Sequence, residues 1–262
     1  NMKIATFNIQ NLISNPEKWD AEHPNLYTLK ISFFNKGKLT WSKTEKFGFR
    51  EVEVDGNNLL VNGKPVKLRG ACRHDVHPTL GRVATPDYEL KDVLLAKEAN
   101  MNFIRTSHYP PSDNFLKLCD EYGIYVEDET AVCFVINYRI KGYEIASTSQ
   151  SDPNYTDRYL SQLEEMVTTH RNHPSVVIWS IGNESLYGSN FQKSHDWIKE
   201  NDKTRPIMFS YPGSAADSIS TYQILSMHYP GIDGNLDQYN IKTKAFGYQK
   251  MPVIFDEWAH VA

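Results

Sequence analysis

Short stretches in which apolar and polar residues alternate fill the first part of the chain. Residues 27–33 (YTLKISF) change character at every second position, as a strand with one buried face does. Residues 35–38 (NKGK) suit a hairpin turn, after which residues 39–41 begin a return strand. Further strands are predicted at 46–54, 59–61 and 65–69. Because a complete β-sandwich needs roughly seven strands, the pattern predicts only part of one.

From residue 66 onward, short apolar runs alternate with segments of helical periodicity. Strands are predicted at 66–71, 103–106, 124–127, 176–181, 207–210, 224–228 and 253–256. Helices are predicted between them, at 88–99, 113–122, 157–170, 191–200 and 236–246. Repeated strand–helix units indicate a parallel sheet that is either doubly wound or closed into a barrel.

Polar or charged residues stand at or near the carboxyl end of every strand in this second part. These residues are Arg73, His74, Arg105, His108, Glu127, Asp128, Asn183, Glu184, Ser210, His228, Asp256 and Glu257. Reactive side chains at the ends of many successive strands are typical of a (β/α)8 barrel. A doubly wound sheet usually carries a glycine-rich phosphate loop, and neither G-x-G-x-x-G nor G-x-x-x-x-G-K-[ST] occurs here. The predicted fold class is therefore α/β, with a TIM barrel.

The length of the second part bounds the number of barrel units. A barrel of about 250 residues uses about 31 residues per unit, so residues 66–262 hold roughly six and a half units. We therefore expect a barrel truncated before strand 8, with open edges at strands 1 and 7. The predicted domains are a partial β-sandwich at residues 1–60 and a barrel with strands 1–7 at residues 61–262.

Composition and charge exclude several classes of protein. The net charge is −4 without a basic block, which argues against a nucleic-acid or membrane-surface partner. No apolar run reaches the roughly 18–20 residues of a membrane helix, and the first residues do not form a signal peptide. We expect a cytoplasmic or periplasmic protein. The three cysteines form no C-x-x-C pair and are interpreted as buried thiols.

Two glutamates are candidates for acid–base chemistry. Glu184 ends the fourth predicted barrel strand and Glu257 ends the seventh, so closure of a barrel would bring them to face each other. Glycoside hydrolysis needs such a pair, one carboxylic acid to protonate the departing oxygen and one carboxylate to attack or to activate water. The chain has 32 aspartates and glutamates, most of which are expected to be solvated. Spacing alone therefore leaves the catalytic interpretation open.

Several segments resemble glycoside hydrolase family 2. Residues 68–78 (LRGACRHDVHP) and 102–110 (NFIRTSHYP) are similar to its first and second barrel strands, and residues 173–184 (HPSVVIWSIGNE) to its acid/base strand. Trp19, residues 24–29 and residues 47–50 resemble the end of the immunoglobulin-like sandwich domain that precedes the barrel. The resemblance covers nearly the whole chain in the family's order.

The resemblance implies a retaining exo-β-glycosidase, most like bacterial β-galactosidases. It implies that Glu184 is the general acid/base and Glu257 the nucleophile. Asn183 matches a residue that hydrogen-bonds the sugar 2-hydroxyl, and Arg105 matches an arginine that keeps the nucleophile ionised. Further substrate-binding candidates are His74, His108, His228, Trp258 and His260. Among these, His228 stands near a position where many relatives carry tyrosine, and Trp258 is expected to stack on the sugar.

One departure from the family bears on metal binding. Its metal-dependent β-galactosidases place Glu and His two residues apart after the third strand, where this chain has Cys133 and Val135. Because hard divalent cations prefer oxygen ligands, we expect no metal and no other cofactor.

The sequence leaves open which sugar the protein binds and whether this chain is catalytically active. The expected partner is a small carbohydrate with a terminal β-galactoside. β-Glucuronidase activity would need a cation for the uronic carboxylate, and β-mannosidase activity is a further alternative. The chain could also be a catalytically inactive sugar-binding fragment. A homo-oligomer or neighbouring domains in a longer chain are possible partners.

Overall fold

The computed structural model describes residues 9–135, 149–210, 223–229 and 251–259. The strands in these ranges are β1 (Tyr27–Asn35), β2 (Lys38–Phe47), β3 (Val52–Asp55), β4 (Asn58–Val61), β5 (Lys64–Pro65), β6 (Gly70–Arg73), β7 (Phe103–Thr106), β8 (Tyr125–Glu129), β9 (Val176–Asn183), β10 (Ile207–Ser210), β11 (Leu225–His228) and β12 (Val253–Glu257). The helices are α1 (Pro86–Glu98), α2 (Asp113–Tyr122), α3 (Thr156–His170) and α4 (Ser189–Asn201). None of these helices has the length and apolar character needed to cross a membrane. The predicted helix at 236–246 lies outside the described residues.

Seven parallel strands form the frame of the second part within the described ranges. Strands β6 to β10 pair in the spatial order β10-β9-β8-β7-β6, and β11 pairs with β12. The backbone N–H of Gln223 donates to the carbonyl of Ile207 at 2.9 Å, which brings the start of β11 beside β10. Strands β7 to β11 are buried at every position, as strands covered on both faces are. This arrangement confirms the predicted α/β class with helices between parallel strands.

The two outer strands of the frame meet. The thiol of Cys72, in β6, donates to the carbonyl of Asp256, in β12, at 3.0 Å. Among the described residues no backbone ladder joins β6 to β12, so the two strands approach each other through a side chain without closing the sheet. The prediction of open edges at the first and seventh barrel strands stays a prediction.

Helix ends follow local sequence signals. The hydroxyl of Ser112 caps α2 by accepting from the backbone N–H of Phe115 at 3.0 Å. The helix ends at Gly123, which has a left-handed backbone with φ +72°. A Cβ at this glycine would lie 2.3 Å from the carbonyl oxygen of Ala21. Glycine is therefore needed both for the turn and for the close approach of the N-terminal segment.

The N-terminal strands form a hairpin, β1-β2, and a small antiparallel sheet, β3-β4-β5. The hairpin turns at Lys36 and Gly37, which both have positive φ, as predicted for this turn. The single strand predicted over 46–54 is wrong, because β2 ends at Phe47 and β3 begins at Val52. Between them the chain packs closely, since a Cβ at Gly48 would lie 2.9 Å from Trp19 and 3.0 Å from Pro174.

The first barrel strand also begins later than predicted. It was expected over 66–71 and is found at Gly70–Arg73. The Asn102 side chain hydrogen-bonds the backbone of the residues that precede β6. It accepts from the N–H of Arg69 at 2.8 Å and donates to the carbonyl of Lys67 at 3.0 Å. These side-chain bonds replace a strand ladder there.

Two apolar clusters hold the frame together. One lies between the helices and the sheet and is centred on Phe115, Leu163, Trp179 and Phe191. The other packs residues of β3 and β4 and the buried Trp19 against barrel-strand residues such as Tyr125 and Ile178. The N-terminal segment is thus packed against the barrel strands. The predicted domain boundary at residue 60 stays a prediction.

Candidate active site

Polar side chains from six neighbouring strands converge at the carboxyl edge of the barrel. They are Arg105, Glu129, Asn183, Ser210, His228 and Glu257, joined by Glu184 immediately after β9. The carboxyl ends of parallel strands meet at one rim, which is where TIM-barrel enzymes carry their active sites. This cluster is therefore the candidate active site.

The two predicted glutamates face each other. A carboxyl oxygen of Glu184 lies within 4.8 Å of a carboxyl oxygen of Glu257. Nδ1 of His228 lies 2.7 Å from Oε1 of Glu184 and 3.7 Å from Oε2 of Glu257. The Glu184 side chain is 20% exposed and that of Glu257 11% exposed. Both can therefore reach a ligand from the rim while most of each side chain is shielded from water.

The backbone around Glu184 is unusual. Gly182 has φ +154°, and a Cβ there would lie 2.8 Å from the ring of Phe191 and 3.0 Å from the carbonyl of Val132. Glu184 itself has φ +37°, a region that residues other than glycine seldom occupy. Its N–H donates to the carbonyl of Ser210 at 3.1 Å. Such strained positions cluster at functional sites, where surrounding contacts hold them.

Glu257 is surrounded by hydrogen-bond donors. Nη1 of Arg105 donates to its Oε1 at 2.7 Å, and the hydroxyl of Tyr229 donates to its Oε2. Nε2 of His108 lies 3.7 Å from Oε1. Burial alone would raise the pKa of Glu257, but the charges of His228 and Arg105 outweigh burial and lower it. Glu257 is therefore held as a carboxylate.

Arg105 is the centre of a buried polar network. Its Nε and Nη2 donate to Glu129 at 2.8–3.1 Å, and Nη2 also donates to Oδ1 of Asn183 at 2.6 Å. Burial lowers the pKa of the guanidinium, but Glu129 and Asp256 raise it well above its ordinary value. The guanidinium is thus a fixed positive charge beside Glu257.

His228 lies beneath the carboxylate pair and is 1% exposed. Its Nδ1 is 2.7 Å from Oε1 of Glu184, and its Nε2 is 3.1 Å from Oγ of Ser210 and 3.5 Å from Oδ1 of Asp256. Burial lowers the pKa of His228, but Asp256 and Glu184 outweigh burial and raise it to about 9. At neutral pH this ring is therefore an imidazolium.

The other predicted substrate-binding residues differ in position. The rings of His74 and His108 contact edge to face with centroids 5.4 Å apart, and burial, followed by the charge of His108, lowers the pKa of His74. Asn183 is fully buried, whereas Trp258 is 63% exposed at the rim. His260 lies outside the described residues.

Sequence reasoning missed three residues of the cluster. Tyr229 contacts Glu257 and directly follows His228, so the tyrosine expected near that position is one residue further on. Glu129 accepts hydrogen bonds from Arg105 and lies two residues beyond the predicted end of β8. The sequence pattern marks Asp256 only as a strand end and does not indicate its contact with His228. The signal available for Glu129 was the acidic run that continues past Glu127.

The residues at the expected metal positions have protein partners. Sγ of Cys133 accepts from Nδ2 of Asn183 at 3.3 Å, and the backbone N–H of Val135 donates to Oγ of Ser185 at 3.0 Å. Within the described part of the chain, the donors that come close enough to share a cation are those of Glu184, His228 and Glu257. Their bonds to each other, to Tyr229 and to Arg105 already occupy them, so we assign them no metal.

Replacing Arg105 by methionine should lower the free energy of unfolding by about 3–5 kcal/mol, because buried carboxylates would lose their charge partner. The carboxylates most affected are those of Glu129 and Glu257. Urea unfolding followed by circular dichroism measures the change. The control is Arg171→Met at an exposed position, which should change stability by less than about 0.5 kcal/mol. Equal stability of the two variants would contradict the network.

The raised pKa of His228 makes stability depend on pH. Below about pH 6.5 the histidine is protonated in both states and its ion pairs contribute fully. As pH rises to about 9, the unfolded chain loses this proton first, so the contribution falls by about 3 kcal/mol, at about 1.4 kcal/mol per pH unit. Urea titrations of the wild type and His228→Gln should therefore converge toward pH 9. Parallel pH profiles would show that the pairing is absent.

Comparisons with known proteins identify the family. A family model described as "Glycosyl hydrolases family 2, TIM barrel domain" matches residues 52–262, and one described as "Glycosyl hydrolases family 2" matches residues 2–50. A β-galactosidase of Vibrio vulnificus (strain YJ016) is 40% identical over 214 residues, covering 81% of this chain and 20% of the relative. A β-galactosidase of Pectobacterium atrosepticum is 36% identical over 255 residues, covering 95% of this chain and 24% of the relative.

Solved structures are similar over nearly the whole chain. A β-D-glucuronidase of Dictyoglomus thermophilum superposes with a TM-score of 0.82 at 25% identity, covering 94% of this chain and 45% of that one. A β-galacturonidase of Eisenbergiella tayi gives a TM-score of 0.79 at 25% identity, with 94% and 45% covered. The chain spans about a fifth to a quarter of the length of the curated relatives. With its fold, its rim of polar residues and a family match over most of its length, the chain belongs to glycoside hydrolase family 2 and carries its TIM-barrel domain.

Proposed function

We propose that this chain carries the catalytic centre of a retaining exo-β-glycosidase that hydrolyses terminal β-D-galactosides. The observation that supports the mechanism is the approach of Glu184 and Glu257 within 4.8 Å. Retaining enzymes hold their two carboxyl groups about 5–5.5 Å apart, whereas inverting enzymes need about 6.5–9.5 Å to admit a water molecule. The short separation favours direct attack by one carboxylate on the sugar.

The surroundings of the two carboxyl groups divide their roles. Glu257 faces the guanidinium of Arg105 and the hydroxyl of Tyr229, and these donors favour its anionic form. An anion is what the nucleophile of the first step must be. Oε1 of Glu184 lies 2.7 Å from Nδ1 of His228, and the residue stands on the opposite side of the cleft from Glu257. This position suits the group that exchanges a proton with the leaving oxygen.

The reaction then proceeds in two displacements. An oxygen of Glu257 forms a bond to the anomeric carbon while the glycosidic bond breaks, and Glu184 gives its proton to the departing oxygen. In the second step the Glu184 carboxylate takes a proton from water, whose oxygen bonds to the anomeric carbon and releases Glu257 as a carboxylate. The sugar leaves with its β configuration retained.

The remaining rim residues are proposed to bind the sugar. Asn183 is positioned by Arg105 through its Oδ1 and by Cys133, which accepts one N–H of its Nδ2, and the second N–H of Nδ2 is the proposed donor for the 2-hydroxyl. His108 lies between Glu129 and Glu257, and His74 packs on it. The exposed indole of Trp258 follows Glu257 directly and offers a flat face to a sugar ring. For His260, the proposed sugar-binding role rests on the family resemblance alone.

Two observations bear on the substrate. The curated relatives named above are β-galactosidases, whereas the similar structures named above act on uronides by their names. A uronic carboxylate needs a cation, and the guanidinium of Arg105 is already engaged by Glu129, Asn183 and Glu257. We therefore propose a galactoside substrate, with a glucuronide as the second candidate.

A panel of 4-nitrophenyl glycosides tests the proposal on the purified chain. We expect the highest kcat/KM on the β-galactoside, with lower values on the β-glucuronide and β-mannoside. Proton NMR should show the β anomer of the released sugar before it equilibrates. A higher kcat/KM on the glucuronide would select the second candidate. Binding of galactose without turnover would support an inactive sugar-binding fragment, and a first-formed α anomer would contradict retention.

We further propose that residues 1–60 are the end of an immunoglobulin-like domain and residues 61–262 the barrel. The edge-to-face contact of Trp19 with Tyr125 and the close approach of Gly48 to Pro174 support a fixed contact between the two domains. Limited proteolysis should spare this junction, and rapid cleavage near residue 60 would contradict a fixed contact.

A further inference from the structure

A buried path of polar groups connects Glu184 with the strand that carries Glu257. Nδ1 of His228 lies 2.7 Å from Oε1 of Glu184, and Nε2 lies 3.1 Å from Oγ of Ser210. The same Nε2 is 3.5 Å from Oδ1 of Asp256, the residue directly before Glu257. Both ring nitrogens are thus held by oxygen atoms, so a rotation of the ring would break contacts on both sides.

Asp256 is a fixed anchor for this ring. It is buried, and the hydroxyls of Ser210 and Ser226 donate to its two oxygens at 2.6 Å each. Nη1 of Arg105 lies 3.7 Å from its Oδ2. The hydroxyl of Ser210 lies 2.6 Å from Oδ2 of Asp256 and 3.2 Å from Oδ1 of Asn183. Because both of these oxygens can only accept, the oxygen of Ser210 accepts from His228, which places a proton on Nε2. Nδ1 is then the ring atom that faces Glu184.

We propose that His228, anchored by Asp256 and Ser210, is a positioning residue that holds the carboxyl group of Glu184 for proton transfer. The inference rests on the proposed function, because it takes Glu184 as the general acid/base. With Oε1 held by Nδ1, the second carboxyl oxygen of Glu184 is the one that gives its proton to the leaving oxygen. The carboxylate that results keeps the hydrogen bond from Nδ1, and His228 neither gains nor loses a proton in the step.

The position of His228 argues against a direct contact with the sugar. The residue is 1% exposed, and both of its ring nitrogens face protein oxygens. The resemblance had implied a substrate-binding role for it, and the contacts assign it to Glu184 instead. Its action on the reaction is therefore indirect, through the orientation and charge of that carboxyl group.

The charge of the ring supports this role. Asp256 and Glu184 raise the pKa of His228 to about 9 against the opposing effect of burial, so the ring is cationic at neutral pH. Within the ranges that the structure describes, the titratable groups that face it are Glu184, Tyr229, Asp256 and Glu257, with Arg105 behind Asp256. A preorganised positive charge beside a carboxyl group stabilises the carboxylate that forms as its proton leaves.

A leaving-group series tests the proposal. Aryl β-galactosides with phenols of increasing pKa need increasing help from the acid, and kcat/KM reports the step in which the glycosidic bond breaks. His228→Ala should lose on the order of 10²-fold in kcat/KM on the poorest leaving group, as expected for a misplaced catalytic group. On the dinitrophenyl galactoside, whose leaving group needs no proton, its kcat/KM should fall far less, by under about tenfold, and this smaller loss reflects the missing charge 3.7 Å from Oε2 of Glu257. His228→Gln, which keeps an N–H donor, should recover roughly fivefold to tenfold, the value of one hydrogen bond.

Controls separate positioning from general damage. His173→Gln removes a second buried histidine–aspartate pair, in which Nδ1 lies 2.6 Å from Asp120 near the amino end of β9. This variant should lose stability but keep the wild-type dependence on the leaving group. A uniform loss across the series in His228→Ala, or a His228→Gln variant no better than His228→Ala, would overturn the proposal. Turnover that survives in Glu257→Gln would instead sink the proposed function.

A second readout needs no turnover. Histidine-selective ¹⁵N NMR of the whole chain, with the His228 signals assigned by their loss in His228→Gln, gives the titration midpoint of the ring. We expect a midpoint near pH 9 that falls in both Asp256→Asn and Glu184→Gln. A midpoint that does not move when Glu184 is changed would show that the two groups are uncoupled and would overturn the proposal.

Discussion

Replacing Glu257 by alanine should abolish turnover of every substrate. The variant loses the atom that forms the covalent bond, and the other described carboxylate that Arg105 hydrogen-bonds, Glu129, is fully buried. Loss of an enzyme's nucleophile costs on the order of 10⁶-fold in kcat. The loss should be as large on dinitrophenyl galactosides as on galactosides with poor leaving groups. Initial rates with both substrates measure it.

Glu257→Gln is the matched control for folding. It keeps the size of the side chain and removes its charge, so the buried Arg105 loses one of its carboxylate partners but keeps Glu129. Its circular dichroism spectrum should match that of the wild type while turnover is lost. Residual activity above about 1% in both variants, after contaminating wild type has been excluded by labelling, would assign the nucleophile to another residue.

Replacing Glu184 by alanine should produce a loss that depends on the leaving group. On unactivated galactosides kcat/KM should fall by about 10²–10⁴-fold, the contribution of general acid catalysis. On the dinitrophenyl galactoside kcat/KM should remain near wild type, because that leaving group departs without a proton. Its kcat should still fall, since deglycosylation needs Glu184 as the base. A pre-steady-state burst of dinitrophenol would report the accumulating glycosyl-enzyme.

The leaving-group dependence separates Glu184 from residues that only hold the cleft together. The control Glu165→Ala changes an exposed glutamate of α3 and should keep wild-type rates on all substrates. An equal loss of kcat/KM in Glu184→Ala on activated and unactivated galactosides would contradict its role as the acid.

Much of the frame could be predicted from sequence because its signals are local. Helix α2 has a serine cap, an apolar face and a C-terminal glycine, and its predicted bounds agree with the structure. Strands β7 and β10 are short buried segments flanked by polar residues, and their predicted bounds also agree with the structure. Strand boundaries were missed where tertiary contacts replaced the ladder, as Asn102 does before β6.

The two carboxylates of the site could be predicted from the sequence, but the hydrogen bonds that join its side chains could not. Glu184 and Glu257 could be located because Glu184 directly follows a strand and Glu257 ends one, and barrel geometry then brings such ends together. The link from Asp256 through His228 to Glu184 joins residues 28 and 44 positions apart, and no periodicity in the sequence reports which side chains meet at those distances. Tyr229 was missed by one position because the turn after β11, where φ is +49°, aims the residue after the strand into the cleft.

The central claim is that Glu257 bonds covalently to the sugar while Glu184 serves as the acid/base. The most direct measurement is mass spectrometry of the chain after treatment with 2,4-dinitrophenyl 2-deoxy-2-fluoro-β-D-galactoside. The fluorine slows both displacements and the activated leaving group restores the first, so the covalent intermediate accumulates. We predict one fluorogalactosyl group on the peptide that contains Glu257, in the wild type and in Glu184→Ala. A label on Glu184, or turnover of galactosides without any covalent label, would contradict the account.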